Sequence, residues 1–167
     1  SAAVALPAGA DQYVLSDAPA LTPIDFGEVA VNVDTAWFAE HGVAPPAAFE
    51  DLTEPEYKDL LVAINPSTSS VGLAFLVATV NHFGTAETGG ADYWKQLAAN
   101  GVTIDSDWSN AYYTDFSGGG EGGVHPIVVS YSSSPAATVT ADGSATTTAS
   151  LPTTAIRQVE YAGVLAG

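Results

Sequence analysis

Two groups of residues in this chain have types and spacings suited to chemistry. The first is Asn65-Pro66-Ser67-Thr68-Ser69-Ser70, a polar turn set directly before the apolar stretch that runs from Val71 to Phe83. Hydroxyls beside the unpaired N–H groups of a helix N-terminus make a place for a carboxylate or phosphate. Plain N-capping explains the same pattern. The second group is aromatic: Trp108, Tyr112, Tyr113 and Tyr131 stand at polar ends of elements rather than inside apolar runs. Tyr131 closes the run Ile127-Val128-Val129-Ser130 and is followed by Ser132-Ser133-Ser134-Pro135. At the carboxyl end of a strand in an open parallel sheet, such a ring can offer its π-face to a planar or cationic ligand. The same rings serve equally to cover the edge of a core.

Other motifs read as structural. The glycine-rich segment 118–123 lacks a following Gly-Lys-Ser/Thr and has no strand feeding it, so it reads as a mobile surface loop rather than a phosphate cradle. Asp105-Ser106-Asp107 begins like a calcium loop but lacks the glycine and distal glutamate, which leaves a turn and a helix cap before Trp108. His41, His82 and His125 have no ligand spacing among them, and no Gly-x-Ser-x-Gly elbow occurs. We therefore expect no catalytic residue, no metal ligand set and no cofactor.

Composition narrows the partners. The 167 residues are 47% hydrophobic, enough for one compact domain with a substantial core. Lys and Arg number 3 against 19 Asp and Glu, for a net charge of -16. Phosphate neutralisation needs several bases, so nucleic acid and anionic membrane surfaces are excluded as partners. Charged residues make up only 13%, against about 25% in ordinary domains, so scarce bases account for the acidity more than abundant acids do. With no cysteine there are no disulfides, thiol nucleophiles or thiolate metal sites. The longest apolar run, 72–80, is about half the ~20 residues of a membrane-spanning helix. No basic segment opens the chain in the manner of a signal peptide, and the abrupt ends suggest a domain cut from a longer protein.

The elements that must position these groups follow from periodicity. Residues 1–23, rich in Ala, Pro and Asp, read as an extended lead-in, and 24–167 as a single α/β lobe. Alternation predicts a strand over 28–33, with Asp34 or Thr35 capping a short helix that ends at Gly42. A helix start with proline in its first turn is expected at 51–56. The apolar run 59–64 reads as a buried parallel strand, followed across the Ser/Thr turn by a buried helix. An amphipathic helix over 91–100, a short strand at 102–104, a helical segment at 108–116 and strands at 126–131 and 156–167 complete the set. Residues 138–154, reduced to Ala, Thr, Ser and Gly, suggest a solvent loop or irregular edge. The fold class is α/β, with a central, mostly parallel sheet flanked by helices.

Four segments share a further property. They are Ile64-Asn65-Pro66-Ser67-Thr68-Ser69-Ser70-Val71-Gly72-Leu73-Ala74-Phe75-Leu76, Val31-Asn32-Val33-Asp34-Thr35-Ala36-Trp37-Phe38, Asp107-Trp108-Ser109-Asn110-Ala111-Tyr112 and Val129-Ser130-Tyr131-Ser132-Ser133-Ser134-Pro135-Ala136. In type and order they resemble thiamine-binding proteins, the extracytoplasmic solute-binding components of ABC transporters. The resemblance implies one lobe of a type 2 periplasmic binding protein fold, in which two lobes joined by hinge strands clamp the ligand. Residues 24–167 would be the second lobe, and the first would be missing from this chain. It implies Ser69 as a hydrogen-bond donor, to phosphate if a thiamine phosphate is bound, and Trp108 and Tyr131 as aromatic walls. Ser70 and Tyr112, in the matched segments, join them as ligand-binding candidates. Family members can carry a second tyrosine shortly after Ser-Pro-Ala, where this chain has Ala137.

The expected function is thus that of a non-enzymatic, extracytoplasmic binding component delivering thiamine or its phosphates to a permease. Two alternatives remain open from sequence. Adjacent Tyr112-Tyr113 suits a related protein for another ligand such as ferric iron, and a carboxylate pair among 19 acids would suit a stand-alone α/β enzyme.

Overall fold

The computed structural model describes residues 6, 9–120 and 122–164. Its centre is two apolar strands, Leu61–Ile64 (β2) and Ile127–Tyr131 (β4), whose residues are buried on both faces except at Tyr131. They lie side by side and parallel, with Val62 opposite Val128, and Thr103–Asp105 (β3) runs parallel to β2 on its other side. A long strand, Thr22–Asp34 (β1), flanks β4 in the opposite direction. Thr148–Ser150 (β5) and Ile156–Ala162 (β6) pair in succession with β1, both antiparallel.

The sheet order is β3-β2-β4-β1-β5, with β6 also on β1. The α/β class stands, but the sheet is mixed rather than mostly parallel, because every partner of β1 is antiparallel to it. Apolar runs such as β2 and β4 report burial on two faces and say nothing about the direction of the neighbour.

Helices cover both faces. Ser70–Phe83 (α2) carries Ala78 and His82 to a cleft shared with Ile156, and Ile156 pairs with Val29. Gly90–Ala99 (α3) buries Tyr93 and Leu97 beside it. The opposite face holds the single turn Trp108–Asn110 (α4), which widens into a π-turn, Ala111–Asp115. Thr35–His41 (α1) begins where Asp34 accepts a bond from the Trp37 N–H and ends at Gly42, whose φ of 67° favours glycine. Phe38, Phe75, Phe116, Leu52 and Leu97 fill the space between layers, each with at most 2% of its surface exposed.

Several expectations change. Residues 51–56 form two 3-10 turns, Asp51–Thr53 and Pro55–Tyr57, because Pro55 has no N–H with which to continue a helix from the first. Part of the glycine-rich segment is packed: a Cβ on Gly119 would collide with the Tyr112 carbonyl, and one on Gly123 with that of Asp115, whereas Gly120 and Gly122 are exposed with open space around them. Glycine there permits close approach to the π-turn; Glu121 lies outside the described residues. Within 138–154, β5 joins the sheet and Thr148 is buried. The lead-in contains a 3-10 turn, Ala10–Tyr13, and β1 begins before its expected end; residues 1–5, 7–8 and 165–167 lie outside the described residues.

Candidate functional site

The parallel strands β3, β2 and β4 end on one edge, at Asp105, Ile64 and Tyr131, and both groups of candidate residues lie there. The polar turn after β2 is tied to the end of β3. The Asn65 N–H donates to the Asp105 carbonyl at 2.8 Å, and the Thr68 hydroxyl to the Ser106 carbonyl at 2.6 Å. Asn65 also accepts from the Ser67 N–H at 2.9 Å, closing the turn that aims the chain into α2.

Ser69 is the N-cap of α2, its Oγ accepting from the Gly72 N–H at a long 3.5 Å. Gly72 is required by contact: a Cβ would collide with the Ile64 carbonyl, so the helix starts hard against the end of β2. Ser70 follows, and the Gln158 amide of β6 donates to its Oγ at 3.4 Å. Gln158 also donates to the Glu160 carboxylate, while its own Oε1 is buried without a hydrogen-bond partner among the described residues.

The aromatic group forms one cluster. Trp108 and Tyr131 have centroids 6.1 Å apart at 57°, and both are partly buried. Tyr112 stacks on Trp108 at 5.1 Å and 16°, and Tyr113 meets it edge-on at 5.6 Å. The indole N–H of Trp108 donates to Ser130 Oγ at 2.9 Å. Tyr112 is only 3% exposed and its hydroxyl donates to the Ser134 carbonyl at 3.4 Å. Burial raises its pKa, partly offset by that bond and reinforced by Tyr113. Tyr112 therefore backs the indole from the core side, whereas Trp108, Tyr131, Ser69 and Ser70 share the strand-end edge.

Carboxyl groups frame Trp108. Asp107 caps α4 by accepting from the Asn110 N–H at 2.9 Å, as the turn-and-cap reading expects. Asp105 accepts from the Asn110 side chain and from the Asp107 N–H. Burial alone would raise the Asp105 pKa, but the Asn110 amide and neighbouring N–H groups outweigh it and hold the carboxyl below its ordinary range. Asp115 is pushed up by burial and by its contact with Asp105. The two neighbouring acids are thus shifted in opposite directions.

The remaining polar candidates are spread apart. His41 stacks on Trp37, His82 bonds Glu50 at 2.6 Å, and His125 bonds the Asp59 carbonyl at 3.1 Å. Among the described residues no group of three His, Cys, Asp or Glu is placed to hold a metal ion. Arg157 sits on β6 with Glu28 at 2.8 Å, the Tyr13 hydroxyl at 2.7 Å and the Phe26 ring 4.7 Å from its guanidinium carbon.

Sequence reasoning missed Ser130, Ser134 and Gln158. Ser130 did carry a signal, as the one polar residue between Val129 and Tyr131 in an otherwise apolar strand. Gln158 carried none, since its neighbour on α2 is 88 residues away.

The family model for bacterial extracellular solute-binding proteins matches residues 4–146. The thiamine-binding periplasmic protein of Salmonella typhimurium is 30% identical over 114 residues, covering 68% of this chain and 31% of that protein. Its counterpart in Brucella suis is 32% identical over 116 residues, covering 68% and 30%. A solved periplasmic thiamin binding protein superposes with a TM-score of 0.70 at 25% identity, over 87% of this chain and 42% of that one. The chain thus spans about a third of the length of the curated relatives it matches. A strand-end edge carrying a capped helix start and an aromatic cluster, on a mixed α/β sheet of this topology, agrees with that match: the chain belongs to the bacterial extracellular solute-binding protein family.

Proposed function

We propose that this chain is one lobe of a two-lobe, non-enzymatic binding protein that carries thiamine or a thiamine phosphate to an ABC permease. The observation that carries the reading is the convergence of Trp108 and Tyr131, 6.1 Å apart, on the edge that also bears the α2 start. Thiamine is a planar cation, and a desolvated cation over an indole face gains about 2 kcal/mol. Because Tyr112 covers one face of Trp108, the ligand takes the other. Ser69 and Ser70 at the α2 N-terminus offer donors to the ligand's hydroxyl or phosphate.

The first lobe closes over this edge, and the closed form docks on the permease. Membership in an extracellular family supports work outside the cytoplasm. No cofactor is needed, since thiamine is cargo. The ferric-iron alternative requires an ionised tyrosine pair, and the buried, hydrogen-bonded, raised-pKa Tyr112 is a poor member of one. Among the described residues the enzyme alternative draws support from the Asp105 and Asp115 pair, but Asp105 is already engaged by the Asn110 side chain and the Asp107 N–H of the α4 turn.

The test is thiamine titration of the two-lobe parent by tryptophan fluorescence, beside its Trp108→Ala variant. Saturable quenching that weakens about 30-fold in the variant is expected from the loss of ~2 kcal/mol. A folded parent indifferent to thiamine refutes the reading.

A further inference from the structure

We propose that Ser130, working through Ser134, is the positioning residue that holds Trp108 in its ligand-accepting orientation. The inference rests on the thiamine reading above, but its geometry is independent of ligand identity. An indole has a single donor and no acceptor. The Trp108 N–H spends it on Ser130 Oγ at 2.9 Å, which fixes Ser130 as acceptor in that bond. The Ser130 proton is then left for Ser134 Oγ, 2.8 Å away. Ser130 is fully buried, so no water competes for its hydroxyl. The backbone carbonyl of Ser134 accepts in turn from Tyr112, the ring stacked beneath the indole.

Both rings of the stack are therefore anchored to the same short stretch, 130–134, that carries Tyr131. That stretch is itself held down. The Asn32 side chain donates to the Tyr131 carbonyl at 3.1 Å, and the Ser132 N–H donates to the Glu28 carbonyl at 2.7 Å. Trp108 opens the turn that runs on into the π-turn, and its ring rests on Tyr112 and Tyr113, contacts that carry no hydrogen bond to the indole N–H. The hydroxyl pair supplies what the turn does not: it locks the indole before ligand arrives, so binding does not have to order it.

The test uses the two-lobe parent with Ser130→Ala and, separately, Ser134→Ala, which removes only the second link. The first readout is hydrogen exchange at the tryptophan indole N–H signals, with the Trp108 signal identified as the one lost in Trp108→Phe. In Ser130→Ala the Trp108 indole should exchange about tenfold faster while those of Trp37 and Trp94 stay unchanged. Thiamine affinity should fall about tenfold in Ser130→Ala and less in Ser134→Ala, with Ser130→Thr, which keeps the hydroxyl, closer to the parent. Parent-like indole exchange in Ser130→Ala overturns the proposal. So does parent-like affinity in that variant when Trp108→Phe binds more weakly. If the unaltered parent ignores thiamine, the functional reading fails, and the indole exchange alone decides whether Ser130 holds Trp108.

Discussion

Replacing Gly72 with alanine sets two effects of opposite sign against each other. Within a helix, alanine is favoured over glycine by about 1 kcal/mol, so propensity alone predicts a more stable protein. Gly72, however, is buried in the first turn of α2, where a Cβ would meet the carbonyl of Ile64 and the carbonyl carbon of Asn65. Both are backbone atoms at the end of the central strand, and neither can rotate aside as a side chain would. Over-packing of this kind costs about 1–3 kcal/mol, and a rigid backbone neighbour argues for the upper end. The net expectation is a loss of about 2 kcal/mol, or a Tm lower by roughly 4–8 °C in a domain of this size. Relieving the clash lifts the α2 start, which carries Ser69 and Ser70, so thiamine affinity of the parent should fall as well. Thermal unfolding followed by circular dichroism measures the first effect and titration the second. A Tm equal to or above that of the unaltered protein would refute the claim that α2 is seated on β2 through this glycine.

Three further outcomes follow from buried polar groups. Thr154→Val removes the hydroxyl that accepts from the Val31 N–H at 2.9 Å in the gap between β5 and β6; stranding that buried donor should cost about 1–3 kcal/mol in denaturant unfolding, and an unchanged midpoint would mean the backbone finds another partner. Asp34→Ala removes both the α1 cap on the Trp37 N–H and the acceptor for the Ser117 hydroxyl at 2.6 Å, with an expected loss of about 3 kcal/mol; a loss under ~1 kcal/mol would contradict it. Burial raises the pKa of Tyr93, Tyr57 and Tyr112 in the folded chain. A raised folded pKa contributes stability that is present below the unfolded tyrosine value of about 10 and is lost as pH climbs past it. Tyrosinate absorbance should therefore show a subset of the seven tyrosines ionising only as the far-ultraviolet dichroism collapses, whereas one uniform titration near pH 10 with the fold intact would rule this out.

Much of the scaffold is legible in the sequence because its signals are local. The apolar runs of β2 and β4, the Ser/Thr turn before α2, the Asp34 cap and the Gly42 stop each depend on residues a few positions apart. Strand direction is different: β1 alternates in the same way whether its neighbour runs with it or against it. β5 is invisible because Thr148-Ala149-Ser150 has no apolar signature, its burial coming from the sheet edge it happens to cover. The site divides along the same line. Trp108, Tyr131 and the helix start announce themselves by standing at element ends. That Tyr112 turns inward depends on contacts distant in sequence, its hydroxyl reaching the Ser134 carbonyl 22 positions later. Ser130 becomes meaningful only once a residue 22 positions earlier is folded onto it.

The length of β1 gives the edge an uneven stiffness. From Val29 onward the strand is buried between β4 and its outer partners, but residues 22–28 form a ladder with β6 alone among the described residues, apart from the Glu28 carbonyl that accepts from Ser132, and Ile24 and Phe26 are mostly exposed. A two-stranded ribbon twists and bends more readily than a strand inside a sheet, and this one is braced by the lead-in turn through Tyr13. The change from rigid to compliant falls at Val29, the residue opposite Tyr131, whose ring lies against Gly27 just inside the ribbon. Trp108 and Tyr131 are both tied to β4, Trp108 through Ser130 and Tyr131 through its own backbone, so only Gly27 beside the Tyr131 ring belongs to the pliable part. Flexing of the ribbon would thus open or close the space beside Tyr131 while the Trp108–Tyr131 pair keeps its spacing, which makes the pair a fixed jaw and the ribbon the part that moves against it.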